Sequence, residues 1–203
     1  VGQSNMQGHA AERTLPHLGM DPRTAPLLNA IQHPDGSARV HDRIWISSID
    51  TSEESGVKAG RLTVGYGAGG REPKIGPELT FGITMQKHVG EPILLIKASW
   101  GGKSLNTDFR PPSAGPYEFT PAQIENFKKR GKDLAELRRE KTESTGAYYK
   151  LMLKHIRSVL GDIKKVYPDY EVGSGYELAG FVWFQGWNDM VDGGTYPGRG
   201  QPG

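Results

Sequence analysis

Pro92-Ile93-Leu94-Leu95-Ile96-Lys97-Ala98-Ser99 is the stretch on which the fold class turns. It is apolar almost throughout. A strand with one wet face alternates apolar and polar residues, whereas a parallel strand covered on both faces reads as a continuous apolar run. The run passes into Trp100-Gly101-Gly102-Lys103-Ser104, a strand-to-loop transition. Working back toward the N-terminus, Pro77 opens a helical stretch carrying Leu79, Ile83 and Gln86, with proline at the first turn, where its missing N–H costs nothing. Arg43–Ile49 reads as a strand, and Arg61–Tyr66 as a weaker one broken by Gly67-Ala68-Gly69-Gly70. Working forward, Thr120-Pro121-Ala122-Gln123 has the pattern of a capping box. The charged helix behind it keeps Ile124, Phe127, Leu134 and Leu137 on one side. A second helix spaces Tyr148, Leu151, Met152, Ile156, Val159, Leu160 and Ile163 at helical intervals, and Leu178–Gln185 reads as the last strand. Strands alternating with helices predict an α/β fold built from βαβ units, with a parallel sheet and right-handed crossovers.

A chain of 203 residues suits one domain with a hydrophobic core. Lys and Arg total 25 against 23 Asp and Glu, a formal net charge of +2, so charge gives no reason to expect nucleic acid or a membrane surface as partner. No apolar run approaches the roughly 20 residues of a membrane span. With no cysteine, the chain has neither disulfides nor thiolate chemistry, which leaves the compartment open. Both ends read as cut: only Val1 precedes the Gly2–Met6 segment where a buried strand is expected, and Gly198–Gly203 is loop-like. The expectation is an incomplete domain.

In α/β sheets ligands bind at the carboxyl ends of strands. Ser4, Gly101-Gly102 and Gln185 each follow a predicted strand end, which predicts that they meet on one rim. Ser4, in Gly2-Gln3-Ser4-Asn5-Met6, is the candidate nucleophile, provided a base takes its proton and donors receive the oxyanion. Taken alone it reads more readily as a helix N-cap, and the full Gly-Gln-Ser-Asn-Met string followed by Gly8 reverses that. Gly101-Gly102 offers backbone N–H groups, or is an ordinary turn. Gln185 offers an amide donor, or is a structural amide; Asn188 is the alternative donor. The six histidines (His9, His17, His33, His41, His88 and His155) show no zinc-type spacing, and no metal or cofactor is expected. His9 lies one helical turn past Ser4 and is a remote candidate for the base. His155 reads as a helix residue, exposed or packed. Asp189 and Asp192 could border the site.

Gly2-Gln3-Ser4-Asn5-Met6, Trp100-Gly101-Gly102-x-Ser104-Leu105 and Trp183-x-Gln185-Gly186 together resemble the SGNH hydrolases, specifically the sialate O-acetylesterase-like branch of carbohydrate esterases. The resemblance implies a three-layer α/β/α sandwich with a parallel sheet, of flavodoxin-like type. It implies a serine esterase that removes O-acetyl groups from carbohydrate without a cofactor. Ser4 is then the nucleophile, with the oxyanion held by the Ser4 and Gly102 N–H groups and the Gln185 side chain. Gly186-Trp187-Asn188-Asp189 also fits the Gly-x-Asn-Asp of other SGNH enzymes, which keeps Asn188 as a rival donor. Trp187 stands where relatives have Glu. The family's His comes from an Asp-x-x-His block, and no Asp of this chain is followed by His at that spacing, so the 203 residues alone are expected to be nearly inactive. A secreted or periplasmic location and an acetylated carbohydrate as partner follow from the resemblance only.

Two other readings share these features. A non-catalytic carbohydrate-binding relative would use Trp100, Trp183 and Trp187 as stacking surfaces. A flavodoxin-like nucleotide binder shares the layers, but no phosphate-cradling loop follows a strand here.

Overall fold

The computed structural model describes residues 1–51 and 56–191 of the chain. In chain order the elements are α1 (Ser4–Gln7), β1 (Ala10–Ala11), α2 (Ala25–Ile31), β2 (His41–Ile49), β3 (Lys58–Leu62), β4 (Lys74–Ile75), α3 (Pro77–Val89), β5 (Ile93–Ala98), α4 (Pro121–Lys129), α5 (Leu134–Ser144), α6 (Ala147–Gly161) and α7 (Trp187–Val191). The described residues form two compact units, one of residues 1–51, 56–101 and 155–185, the other of 102–154 with 186–191.

The first unit is organised by β2 and β5, which pair in parallel from Ile44 opposite Ile93 to Ile49 opposite Ala98. β3 lies antiparallel on the far side of β2, so the sheet is mixed where an all-parallel one was expected. The reason is local: β3 follows β2 after only a short connection, too short for the crossover that a parallel neighbour needs. The ladder of Gly2 extends the sheet. Gly2 bridges Ser99 on one side and Phe184 on the other, both in parallel. The expected strand Leu178–Gln185 is confined to this bridge at Phe184, and the expected Arg61–Tyr66 strand is displaced to Lys58–Leu62.

Alternation along β2 and β5 sends side chains to two cores. Ile44, Ile46, Ile93 and Leu95 pack with Leu79 and Ile83 of α3, Ile31 of α2, and Leu15 and Leu62. Trp45, Leu94 and Ile96 pack on the opposite face with Val159, Val166 and Tyr167. Trp45 stacks on Tyr167 at 4.9 Å between ring centroids, and the Arg61 guanidinium sits 5.1 Å from the Trp45 ring. His155 is buried on this face, its Nε2 3.4 Å from Ser47 Oγ and 3.3 Å from the Ser47 carbonyl.

In the second unit the predicted capping box forms: the Thr120 hydroxyl accepts from the Gln123 N–H, and the Gln123 side chain accepts from the Thr120 N–H. The single charged helix expected behind it is two. Gly131 at φ 64° ends α4, and Asp133 restarts the chain by accepting the Ala135 and Glu136 N–H groups as the N-cap of α5. Phe119 sits edge-on to both Tyr117 and Phe127, and Phe109 is buried beside Tyr148.

Candidate active site

The site grows from the two residues ahead of Ser4. Val1 and Gly2 are buried and hydrogen-bonded on both sides, like a central strand. The Gly2 N–H donates to the Ala98 carbonyl at 3.2 Å, the Trp100 N–H to the Gly2 carbonyl at 3.2 Å, and the Phe184 N–H to the Val1 carbonyl at 2.8 Å. A Cβ on Gly2 would run into the Phe184 carbonyl oxygen and lie 2.7 Å from Met6 Cβ, so glycine is required by close approach of backbones. The chain then turns into α1. Its N-cap is Gln3, without a side-chain capping bond, and Ser4 is the first helical residue. The N-cap reading of Ser4 is thereby replaced: its hydroxyl does not cap. Instead Ser4 Oγ donates to Gln3 Oε1 at 3.0 Å. Ser4 is half-buried, while Gln3 is only 1% exposed. The N–H groups of a first helical turn have no intrahelical acceptors and point toward whatever stands before the helix.

Register carries the same level across the sheet. Ser99 and Phe184 flank Gly2, so Gly101 stands two residues beyond its bridge, as Ser4 does, and Gln185 one residue beyond. Gly101 abuts the nucleophile turn: a Cβ there would lie 3.1 Å from Gln7 Oε1 and 3.9 Å from Ser4 Cβ. Within the first unit the structure thus brings Ser4, Gly101 and Gln185 to neighbouring strand ends. Two buried polar atoms on this level, Gln3 Nε2 and Ser99 Oγ, have no hydrogen-bond partner.

Gly102 and Asn188 belong to the second unit. Gly102 has φ 72°, a conformation that favours glycine, and its carbonyl accepts from Asn188 Nδ2 at 2.9 Å. Asp189 is engaged as well: its Oδ1 accepts from the Leu105 N–H at 2.7 Å and the Asn106 N–H at 3.4 Å. Asp192 lies outside the described residues. His9 is exposed and His155 is committed to Ser47. Among the described residues no His, Asp and Glu group is arranged to hold a metal ion, and no helix is long and apolar enough to cross a membrane.

Beneath α1 lies a pair that no motif announced. Lys97 of β5 and Glu78 of α3 form an ion pair at 2.7 Å, with side chains 2% and 3% exposed. Lys97 Nζ also donates to the Tyr66 carbonyl at 2.7 Å and to the Gln7 carbonyl, the end of α1, at 2.9 Å. Glu78 Oε1 accepts from the Gly76 N–H at 3.0 Å. Burial pushes the Lys97 ammonium below the usual lysine range, and the Glu78 carboxylate pulls it partly back. The signal in the sequence was a lone charge inside the apolar run of β5.

A search of curated proteins and a search of solved structures give no match. One protein-family model matches residues 1–198, described as carbohydrate esterase, sialic acid-specific acetylesterase. That match takes in almost the whole chain, from the Gly2 bridge and the Ser4 turn through Asn188, and the chain therefore belongs to the sialic acid-specific acetylesterase family of carbohydrate esterases.

Proposed function

We propose that this protein is a serine esterase that removes O-acetyl groups from carbohydrate, with Ser4 as nucleophile in a three-layer SGNH-type sandwich. The observation that carries the reading is the placement of Ser4. It is the first residue of a helix that directly follows a strand paired on both sides, half-buried, with Gly101 against it and Gln185 at the next strand end. A hydroxyl so held is fixed in direction but still reachable.

In this reading Ser4 Oγ attacks the acetyl carbonyl carbon as a base takes its proton. The negative charge on the carbonyl oxygen is received by the Ser4 N–H and the Gln185 amide. The bond to the sugar oxygen breaks, the alcohol leaves with the proton, and water then releases acetate from Ser4 through the same base. The family resemblance assigns the base to a histidine oriented by aspartate. Gly102 N–H and the Asn188 amide stay candidates from the same resemblance, with Asn188 Nδ2 already donating to the Gly102 carbonyl.

The test is hydrolysis of p-nitrophenyl acetate and of O-acetylated sialic acid by a full-length version that carries the Asp-x-x-His block and by its Ser4→Ala variant. Loss of turnover on both esters with the fold retained supports the assignment. A variant that hydrolyses them at the parent rate overturns it.

A further inference from the structure

We infer that the buried Lys97–Glu78 pair positions the nucleophile turn, anchoring the far end of α1 so that Ser4 holds its direction; the inference rests on the assignment of Ser4 as nucleophile. α1 is one turn long, and one turn has little stability of its own, because few hydrogen bonds repay the fixing of its dihedrals. Its internal bonds are the Gln7 N–H to the Gln3 carbonyl at 2.8 Å and the Gly8 N–H to the Ser4 carbonyl at 3.0 Å. The end that carries Ser4 is continuous with the Gly2 ladder. The other end must be held by something outside the helix.

That something is an ammonium. Lys97 Nζ reaches three acceptors at once, the Gln7 carbonyl, the Tyr66 carbonyl and Glu78 Oε2, all within 2.9 Å. Three acceptors use all three of its N–H groups. Its stem rises from β5, which is locked to β2 by a six-residue ladder, so the fixed point is the most regular part of the sheet. Glu78 is in turn oriented by the Gly76 N–H, and Gly76 packs against the end of α1, where its Cβ would lie 3.1 Å from both Gly8 Cα and the Met6 carbonyl. The Ala68 N–H donates to the Gly8 carbonyl at 2.8 Å, which completes the clamp. An apolar pair in the same place would fill the volume equally well, but it would leave the Gln7 carbonyl unheld. Buried ion pairs are often replaceable by apolar residues without loss of stability, so stability alone does not account for this one.

The experiment, in a full-length version that carries the Asp-x-x-His block, compares the parent with Lys97→Met/Glu78→Gln, which keeps an acceptor for the Gly76 N–H, and with Lys97→Met/Glu78→Leu, which makes the pair apolar. Four quantities are read: Tm, the kcat and KM for p-nitrophenyl acetate, and the rate at which a fluorophosphonate ester labels Ser4. The expected result is a Tm within about 4 °C of the parent, an unchanged KM, and kcat and labelling both reduced by about 10- to 100-fold, the loss that follows from a small misplacement of a reacting group. Folded variants with parent kcat and labelling rate overturn the inference. If neither variant folds, amide exchange in the parent decides: Gln7 and Gly8 N–H groups that exchange as slowly as those of β2 support the anchor, and groups that exchange orders of magnitude faster overturn it. A parent protein that is not labelled at Ser4 overturns the nucleophile assignment instead.

Discussion

Where β2 meets β5 the pairing runs for six consecutive residues; where Gly2 meets Ser99 and Phe184 it is one residue deep on each side. The first region is held by repetition. Its side chains feed two apolar cores, and Ile46 is fully buried. The second is held by close contact of backbones, by Gly2 lacking a side chain, and by groups reaching in from elsewhere, chiefly Lys97 and Gly76. A long ladder gives stability but buries what it carries. A short one leaves the residue just beyond it at the sheet's edge, where a ligand can reach it. The candidate nucleophile sits on the short one.

Four substitutions, made in a full-length version that carries the Asp-x-x-His block, sharpen that contrast. Ser4→Ala touches neither ladder, so it should leave Tm nearly unchanged while lowering kcat for acetyl esters by about 10⁴-fold or more, as removal of a nucleophile does; steady-state kinetics beside a thermal melt checks both. Gly2→Ala should do the reverse. Its methyl meets the Phe184 carbonyl, and the loss should exceed about 4 kcal/mol, the range reached when a buried backbone has no room to yield. Urea unfolding measures it, and a variant that melts like the parent would mean the bridge has slack.

Gln185→Ala removes no rung of either ladder. If its amide receives the oxyanion, kcat should fall by about 10²–10³-fold with little change in KM; a fall in stability with kcat intact would make Gln185 structural. Asn188→Ala is the smallest expected change. It forfeits the bond to the Gly102 carbonyl, about 1 kcal/mol, and should alter stability more than kcat. The opposite pattern would move the donor role from Gln185 to Asn188.

The long ladder was the part legible in the sequence. Ile44–Ile49 and Ile93–Ala98 lie within the predicted strands because a buried strand advertises itself by composition alone. Pro77 at the start of α3 and the capping box at Thr120 were readable for a similar reason, since both depend on residues within one turn. The break between α4 and α5 was written in Gly131 and Asp133, but the apolar spacing of Ile124, Phe127, Leu134 and Leu137 carries smoothly across it and hides it. The short ladder was legible only in part. Gly2 and Ser4 marked a turn, yet nothing local shows that Gln3 Oε1 accepts the Ser4 hydroxyl or that Lys97 reaches the end of α1, because those contacts depend on register between distant strands. Leu178–Gln185 has the composition of a strand, but only Phe184 finds a partner to bridge, and Phe181, Val182 and Phe184 stay largely exposed.

The two bridges of Gly2 also set an order in time. The Val1 nitrogen donates to the carbonyl of Val182, 181 residues away. Contacts so far apart in sequence are slow to close, because the entropy of the intervening loop is lost before the contact gives anything back. On a ribosome the Ser4 segment emerges before Val182 and cannot complete its pairing until Val182 has appeared. Refolding should therefore show two clocks. The β2–β5 ladder and its cores form first, and competence of Ser4 toward a fluorophosphonate arrives after them, as the last thing the chain learns to do.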